Sequence, residues 1–155
     1  MKHEEFMNEA IRLAGDNVDN EGGPFGAVIV KDNEIIARGT NRVTSNNDPT
    51  AHAEVQAIRE ACSKLETFDL SGCTIYTSCE PCPMCFSAIY WAHVDAVYYA
   101  ANHEDAAKAG FDDALIYDEI KRHPDERSVP FVYLSTDNGN QPFDKWVKST
   151  KKIEY

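Results

Sequence analysis

One imidazole, two thiols and one carboxylate stand out from the rest of this chain by type and spacing. His52-Ala53-Glu54 is followed downstream by Pro81-Cys82-Pro83-Met84-Cys85. His52, Cys82 and Cys85 are ligands of the kind zinc takes, and they number three. A structural zinc is closed by four protein ligands, whereas a catalytic zinc keeps three and leaves the fourth position to water or substrate. Zinc held in that way lowers the pKa of its bound water to roughly 7. Glu54, which zinc does not need, is then the expected proton carrier, taking a proton from the water and delivering it to the group that leaves.

The spacing constrains the elements that must hold these residues. Residues three apart share a helix face, so Cys82 and Cys85 converge on one ion if a helix starts near residues 81–83, where proline is well tolerated. The positive end of that helix favours thiolates. His52 and Glu54, two apart, diverge in a regular helix and are therefore expected in its first turn, with Asp48-Pro49-Thr50 as its cap. Other readings exist for the same thiols. An isolated C-x-x-C is also a redox pattern, and Cys79, Cys82 and Cys85 form a C-x-x-C-x-x-C run. An iron–sulfur cluster wants a fourth cysteine soon after, followed by proline, but Phe86-Ser87-Ala88-Ile89-Tyr90-Trp91 follows instead. A closed zinc with Cys79 as fourth ligand stays open, and it leaves Glu54 without a role.

Apolar periodicity supplies the scaffold. Phe6, Ala10, Leu13 and Ala14 mark one face of a helix over residues 3–17. Residues 25–30 and 34–38, joined by Lys31-Asp32-Asn33, read as a β-hairpin. A loop over 39–50 leads to a helix carrying His52, Val55, Ile58 and Ala61. Residues 74–77 read as a strand, 83–92 as a helix, 96–101 as a strand, 104–109 and 114–120 as helical turns, 131–135 as a fifth strand, and 142–150 as a final helix. Strands with intervening helices predict a single α/β domain over 1–155, built as a three-layer α/β/α sandwich. Both zinc half-motifs fall at helix starts, where an open α/β sheet binds ligands.

Composition narrows the class of function. The 155 residues, 43% hydrophobic, suit one domain with a substantial core. No stretch is long and apolar enough to span a bilayer, and the acidic, amphipathic start is not that of a signal peptide. Five cysteines, three of them at metal spacing, fit a reducing compartment and predict a cytoplasmic protein. A net charge of −11 repels phosphate and argues against nucleic acid as a partner. Lys148, Lys151 and Lys152 are the local exception, read as a solvated helix end.

With these motifs in place the chain resembles the cytidine deaminase superfamily, and within it the small bacterial guanine deaminases. The resemblance runs through residues 22–30, 46–54 and 76–85, the Ala109-Gly110-Phe111-Asp112-Asp113 segment and the terminal Lys152-Ile153-Glu154-Tyr155. It implies a mixed five-stranded sheet, one Zn²⁺ per subunit, and hydrolytic deamination of guanine to xanthine and ammonia. In that scheme Glu54 protonates ring N3 and then the amino group. It implies that Asp113 accepts from the ring N1–H and exocyclic amine of guanine, that Asn41 contacts the base, and that backbone N–H groups near Ala53 and Cys82 orient it. Phe25 and Trp91 are expected to line the pocket. Asp112 is expected as a helix cap. The tail over about 140–155 is expected to be exchanged in a homodimer, with Tyr155 covering the base. Relatives acting on guanosine, cytosine, an aminotriazine or transfer-RNA adenosine share the same zinc motif, and a non-enzymatic zinc module is the remaining alternative.

Overall fold

Side chains alternate between two faces along residues 26–31, and this alternation sets the layers of the first of two compact units, Met1–Asp113 and Ala114–Tyr155. The computed structural model describes residues 2–155. Strand β1 (Gly26–Lys31) sends Ala27 and Ile29 to one face and Val28 and Val30 to the other, all four buried. It turns through Asp32 and Asn33, at φ of 50° and 63°, into β2 (Glu34–Thr40). Two consecutive positive φ values are what a type I′ hairpin turn requires. Strand β3 (Cys73–Cys79) pairs antiparallel with β1 and parallel with β4 (Ala96–Ala101), giving the order β2-β1-β3-β4.

Helices cover both faces of this sheet. Helix α1 (His3–Asp19) places Phe6 against Val28, Val30 and Tyr76. On the other face, α3 (Ala53–Leu65) and α4 (Pro83–Trp91) contribute Ala53, Ala57, Ala61 and Ile89 to a core with Ala27, Ile29, Ala37 and Ile75. The alanine stripe of α3 lets its backbone come down onto the sheet, and Gly39 completes the fit. A Cβ there would sit 2.1 Å from Ala53 O and 2.6 Å from Ala57 N. The first turn of α3 is thus seated directly on β2. The three-layer reading holds for this unit, with helices at the expected places. The segment expected to be a plain loop over 39–50 also holds a short helix, α2 (Val43–Asn46).

The sheet has four strands among the described residues, not the expected five. Residues 131–135 join no ladder, and Phe131, Val132, Tyr133 and Leu134 are 55%, 81%, 90% and 81% exposed. The strand preference of such residues comes from fitting a pleated, half-buried surface, and within the chain they gain no such surface. The second unit contains α6 (Ala114–Lys121), a 3₁₀ turn (Pro124–Glu126) and α7 (Gln141–Lys148). Glu119 organises its first part. Its carboxylate accepts from the Ser128 backbone and hydroxyl, and its carbonyl accepts from Arg127 Nε at 3.1 Å. Helix α5 (His103–Lys108) follows β4 in the first unit. No helix among the described residues is long and apolar enough to cross a membrane.

Candidate active site

Two helix starts meet at one point of the first unit. His52 is the N-cap of α3, with extended backbone (φ −72°, ψ 158°), and Cys82 is the N-cap of α4 in nearly the same conformation (φ −67°, ψ 169°). Pro83 occupies the first turn of α4, where its missing N–H has no intrahelical partner to lose. The helix starts at Pro83, within the expected 81–83, so Cys82 stands at its edge and Cys85 in the first turn comes round to the same point. Asp48 does not cap α3. Its carboxylate accepts from Thr50 N (2.9 Å) and Thr50 Oγ1 (2.7 Å), making a tight turn that delivers the chain to His52.

The ligand atoms fit a zinc ion. His52 Nδ1 lies 3.5 Å from Cys82 Sγ and 3.6 Å from Cys85 Sγ, and all three atoms fall within 4.8 Å of one another. A tetrahedral zinc with its usual Zn–S and Zn–N bond lengths separates such nitrogen and sulfur atoms by about 3.6 Å. Cys79, buried and free, is not a member of this group among the described residues. Its Sγ lies 3.8 Å from Asn102 O, and burial pushes its thiol up to about 11. The site therefore has the three-ligand composition of an open centre.

The electrostatics follow from the packing. Cys82, hydrogen-bonded by the Cys85 thiol and then by the His52 ring, is held far below the ordinary thiol range. Cys85, which keeps the shared proton, is raised. The Cys82 side chain in turn raises His52 against the opposing effect of burial. Two helix N-termini pointing at one place add further positive potential for anionic ligands. Glu54 is 6% exposed, and burial pushes its carboxyl above the ordinary carboxylate range while a hydrogen bond with Cys85 pulls it back. A buried carboxyl beside a three-ligand centre can carry protons for a reaction occurring there.

Four of the other expected residues, Ala53, Asn41, Phe25 and Asp113, lie in the same compact unit. Ala53, fully buried, is the first residue of α3. Asn41 is held from both sides. Its carbonyl accepts from Asn17 Nδ2 at 2.9 Å and its side-chain oxygen accepts from Val43 N at 3.2 Å, which leaves its amide group as a donor. Phe25 packs edge-on against Phe111, with ring centroids 5.0 Å apart. Gly110, at φ 96°, reverses the chain after α5, and Phe111 N donates to Ala106 O at 2.9 Å. That reversal brings Asp113 back until its Oδ2 lies 3.3 Å from His103 Nδ1, while His103 Nε2 lies 3.3 Å from Glu80 Oε2.

Trp91 is placed otherwise. Trp91 ends α4, roughly 13 Å along the helix from Cys82 at 1.5 Å per residue. It lines an open groove of about 600 Å³ with Ile58, Cys62, Phe68 and Ala88, so the chain does not bring it to the zinc ligands. Tyr155 belongs to the second unit, 75% exposed at the end of the coil after α7. Glu80 and His103 were missed in the sequence. They are 23 positions apart, and only the parallel pairing of Cys79 with Ala101 sets the ends of β3 and β4 side by side and carries the two residues together.

The fold and the ligand set together define a zinc-binding deaminase domain, and residues 1–101 match the zinc-binding region of cytidine and deoxycytidylate deaminases. The chain belongs to that family. Over all of both chains it is 55% identical to the guanine deaminase of Bacillus subtilis (strain 168). The solved structure of that enzyme superposes with a TM-score of 0.98, covering 100% of this chain and 99% of that one. A more distant structure, in complex with 2,6-diaminopurine, has a TM-score of 0.68 and 39% identity over 72% of this chain and 62% of that one. The tRNA-specific adenosine deaminase of Aquifex aeolicus (strain VF5) is 43% identical over 101 residues, 65% of this chain and 67% of that protein.

Proposed function

We propose that the protein hydrolyses guanine to xanthine and ammonia. The observation that carries this reading is the degree of likeness to guanine deaminase, 55% identity over all of both chains, whereas a tRNA-specific adenosine deaminase that spans 96% of this chain is 33% identical. The likeness to guanine deaminase takes in the Phe111-Asp112-Asp113 segment and the C-terminal tail. The net charge of −11 also favours a small base over a polyanion.

The residues divide the work as follows. Zinc, when bound by His52, Cys82 and Cys85, supplies water activated for attack at neutral pH. Glu54 takes a proton from that water and delivers it to ring N3 as an oxygen is added at C2. Glu54 then takes the proton of the hydroxyl added at C2 and passes it to the exocyclic amine, so that the C2–N bond breaks, ammonia leaves and the C2 carbonyl of xanthine forms. Asp113 accepts from the N1–H and the amine, two adjacent donors that a carboxylate matches with its two oxygens. The Asn41 amide donates to the base, and the backbone at Ala53 and Cys82 orients it. Phe25, steadied by Phe111, offers a ring face for stacking.

The working unit in this reading is a homodimer in the cytoplasm with the C-terminal segment exchanged. Two features support it. Helix α4 presents Phe86, Tyr90 and Trp91 at 52%, 68% and 65% exposure, an apolar strip that a monomer rarely leaves open. Strand β4 is a parallel edge strand with Tyr98 and Tyr99 exposed, whereas parallel strands are normally covered on both faces. Residues 131–135 of a second copy, rich in β-branched and aromatic side chains, suit that edge, and the partner's Tyr155 would then close the site. The five free cysteines suit a reducing compartment.

The test is a substrate panel. Zinc-loaded protein is given guanine, guanosine, cytosine, adenosine and an aminotriazine separately, and ammonia is measured. Guanine is expected to react far faster than the others. A faster reaction with guanosine or the triazine would keep the zinc chemistry and overturn the pocket assignment. Salt-sensitive binding and deamination of transfer RNA would favour the nucleic-acid reading instead.

A further inference from the structure

We propose that His103 is a positioning residue for substrate recognition, holding the Asp113 carboxylate at the angle from which it reads the donor edge of the base. The inference rests on the guanine reading above and goes beyond it by assigning a residue that touches neither zinc nor base.

The geometry is specific. Both ring nitrogens of His103 face carboxylates, Nε2 at 3.3 Å from Glu80 Oε2 and Nδ1 at 3.3 Å from Asp113 Oδ2. The three side chains are shielded, at 30%, 31% and 18% exposure for His103, Glu80 and Asp113. Glu80 and His103 are both held at the backbone. Glu80 follows β3 directly and its N–H donates to Ala101 O at 2.8 Å, so its backbone is tied to the end of β4. His103 is the first residue of α5, and a reciprocal capping box fixes its backbone: Asn102 Oδ1 accepts from Asp105 N and Asn102 N donates to Asp105 Oδ2, both at 3.0 Å.

Asp113 stands in the coil of residues 111–113, between the Gly110 reversal and the start of α6. A carboxylate on irregular backbone has rotamers to lose before it can bind two donors at once, and recognition weakens when that ordering must be supplied on binding. His103 orders it beforehand, and Glu80 orders His103. The same Glu80 lies two residues before Cys82, so the bridge also references Asp113 to the strand end that carries the zinc ligands.

A double-mutant cycle on guanine turnover tests this. His103→Ala in the otherwise unaltered, zinc-loaded protein is expected to lower kcat/KM roughly tenfold, mainly through KM, within the coupling range of contacting residues. In an Asp113→Asn background the same change is expected to alter kcat/KM less than twofold, because the residue that His103 acts through is already disabled. His103→Gln, which keeps one donor, should recover part of the loss and serves if the alanine variant folds poorly. Equal losses in both backgrounds, or a loss of zinc or melting temperature that accounts for the effect, would show a general structural role and overturn the proposal. Absence of guanine turnover in the unaltered protein would overturn the guanine reading and the inference together. Turnover that His103 substitutions leave unchanged would overturn the inference alone.

Discussion

In the proposed scheme Glu54 and the three zinc ligands do separable things, and substitution should separate them. Glu54→Gln removes the proton carrier and leaves His52 Nδ1, Cys82 Sγ and Cys85 Sγ in place. It is expected to retain one zinc per chain by elemental analysis and to lose roughly 10²-fold or more in turnover, the scale of general acid–base catalysis. Cys82→Ser and Cys85→Ser are expected to lose the metal itself, seen as a zinc content falling with activity. His52, Cys82 and Cys85 were legible in the sequence as a metal-binding set because such chemistry depends on type and short spacing. The resemblance implied a base contact for Asn41; its side-chain oxygen accepts from Val43 N in a local turn, and its amide is left to serve the proposed contact. His103 and Glu80 were not legible, because nothing in a sequence marks two residues that strand pairing alone brings together.

The elements hold the site through close backbone contact, and two further expectations belong to them. Gly39 allows the first turn of α3 to rest on β2, with no room for a Cβ against Ala53 O and Ala57 N. Gly39→Val is therefore expected to lift that turn, costing about 1–3 kcal/mol in overpacking and weakening zinc retention, measured by denaturant unfolding and metal content. Glu9 on α1 accepts from Arg12 and from Arg38 on β2, each at 2.8 Å, and Arg12 followed by Arg38 hold its carboxyl down from 4.5 to about 2. A carboxylate depressed by folding stabilises the folded state above its unfolded value. That contribution is lost as pH falls from about 4.5 towards about 2. With both arginines solvent-screened, it is worth about 1 kcal/mol. Unfolding midpoints should fall more steeply across this window in the unaltered protein than in Glu9→Gln. The α/β layering was readable because alternation in β1 and the alanine face of α3 follow from burial period. The fifth strand was misread because residues 131–135 carry strand-forming side chains but have no ladder within the chain.

At the scale of the molecule, the exposed strip on α4, the uncovered edge of β4 and the strand-like segment in the second unit are what the proposed dimer, with its C-terminal segment exchanged, would cover or pair. The expected mass in solution is twice the 17.4 kDa of the chain, measurable by sedimentation. Deleting residues 153–155 should leave that mass and the zinc content intact while lowering turnover of guanine. A monomer that turns guanine over at full rate would refute the exchange while leaving the zinc chemistry untouched. The central claim is narrower than the assembly, namely that Glu54 beside a three-ligand zinc deaminates guanine. The measurement that reaches it most directly is the stoichiometric appearance of xanthine and ammonia from guanine, with zinc content determined on the same samples of unaltered and Glu54→Gln protein. Equal amounts of both products from the unaltered protein, and almost none from a fully zinc-loaded Glu54→Gln variant, are the predicted result. Turnover by the variant at a near-normal rate would contradict it.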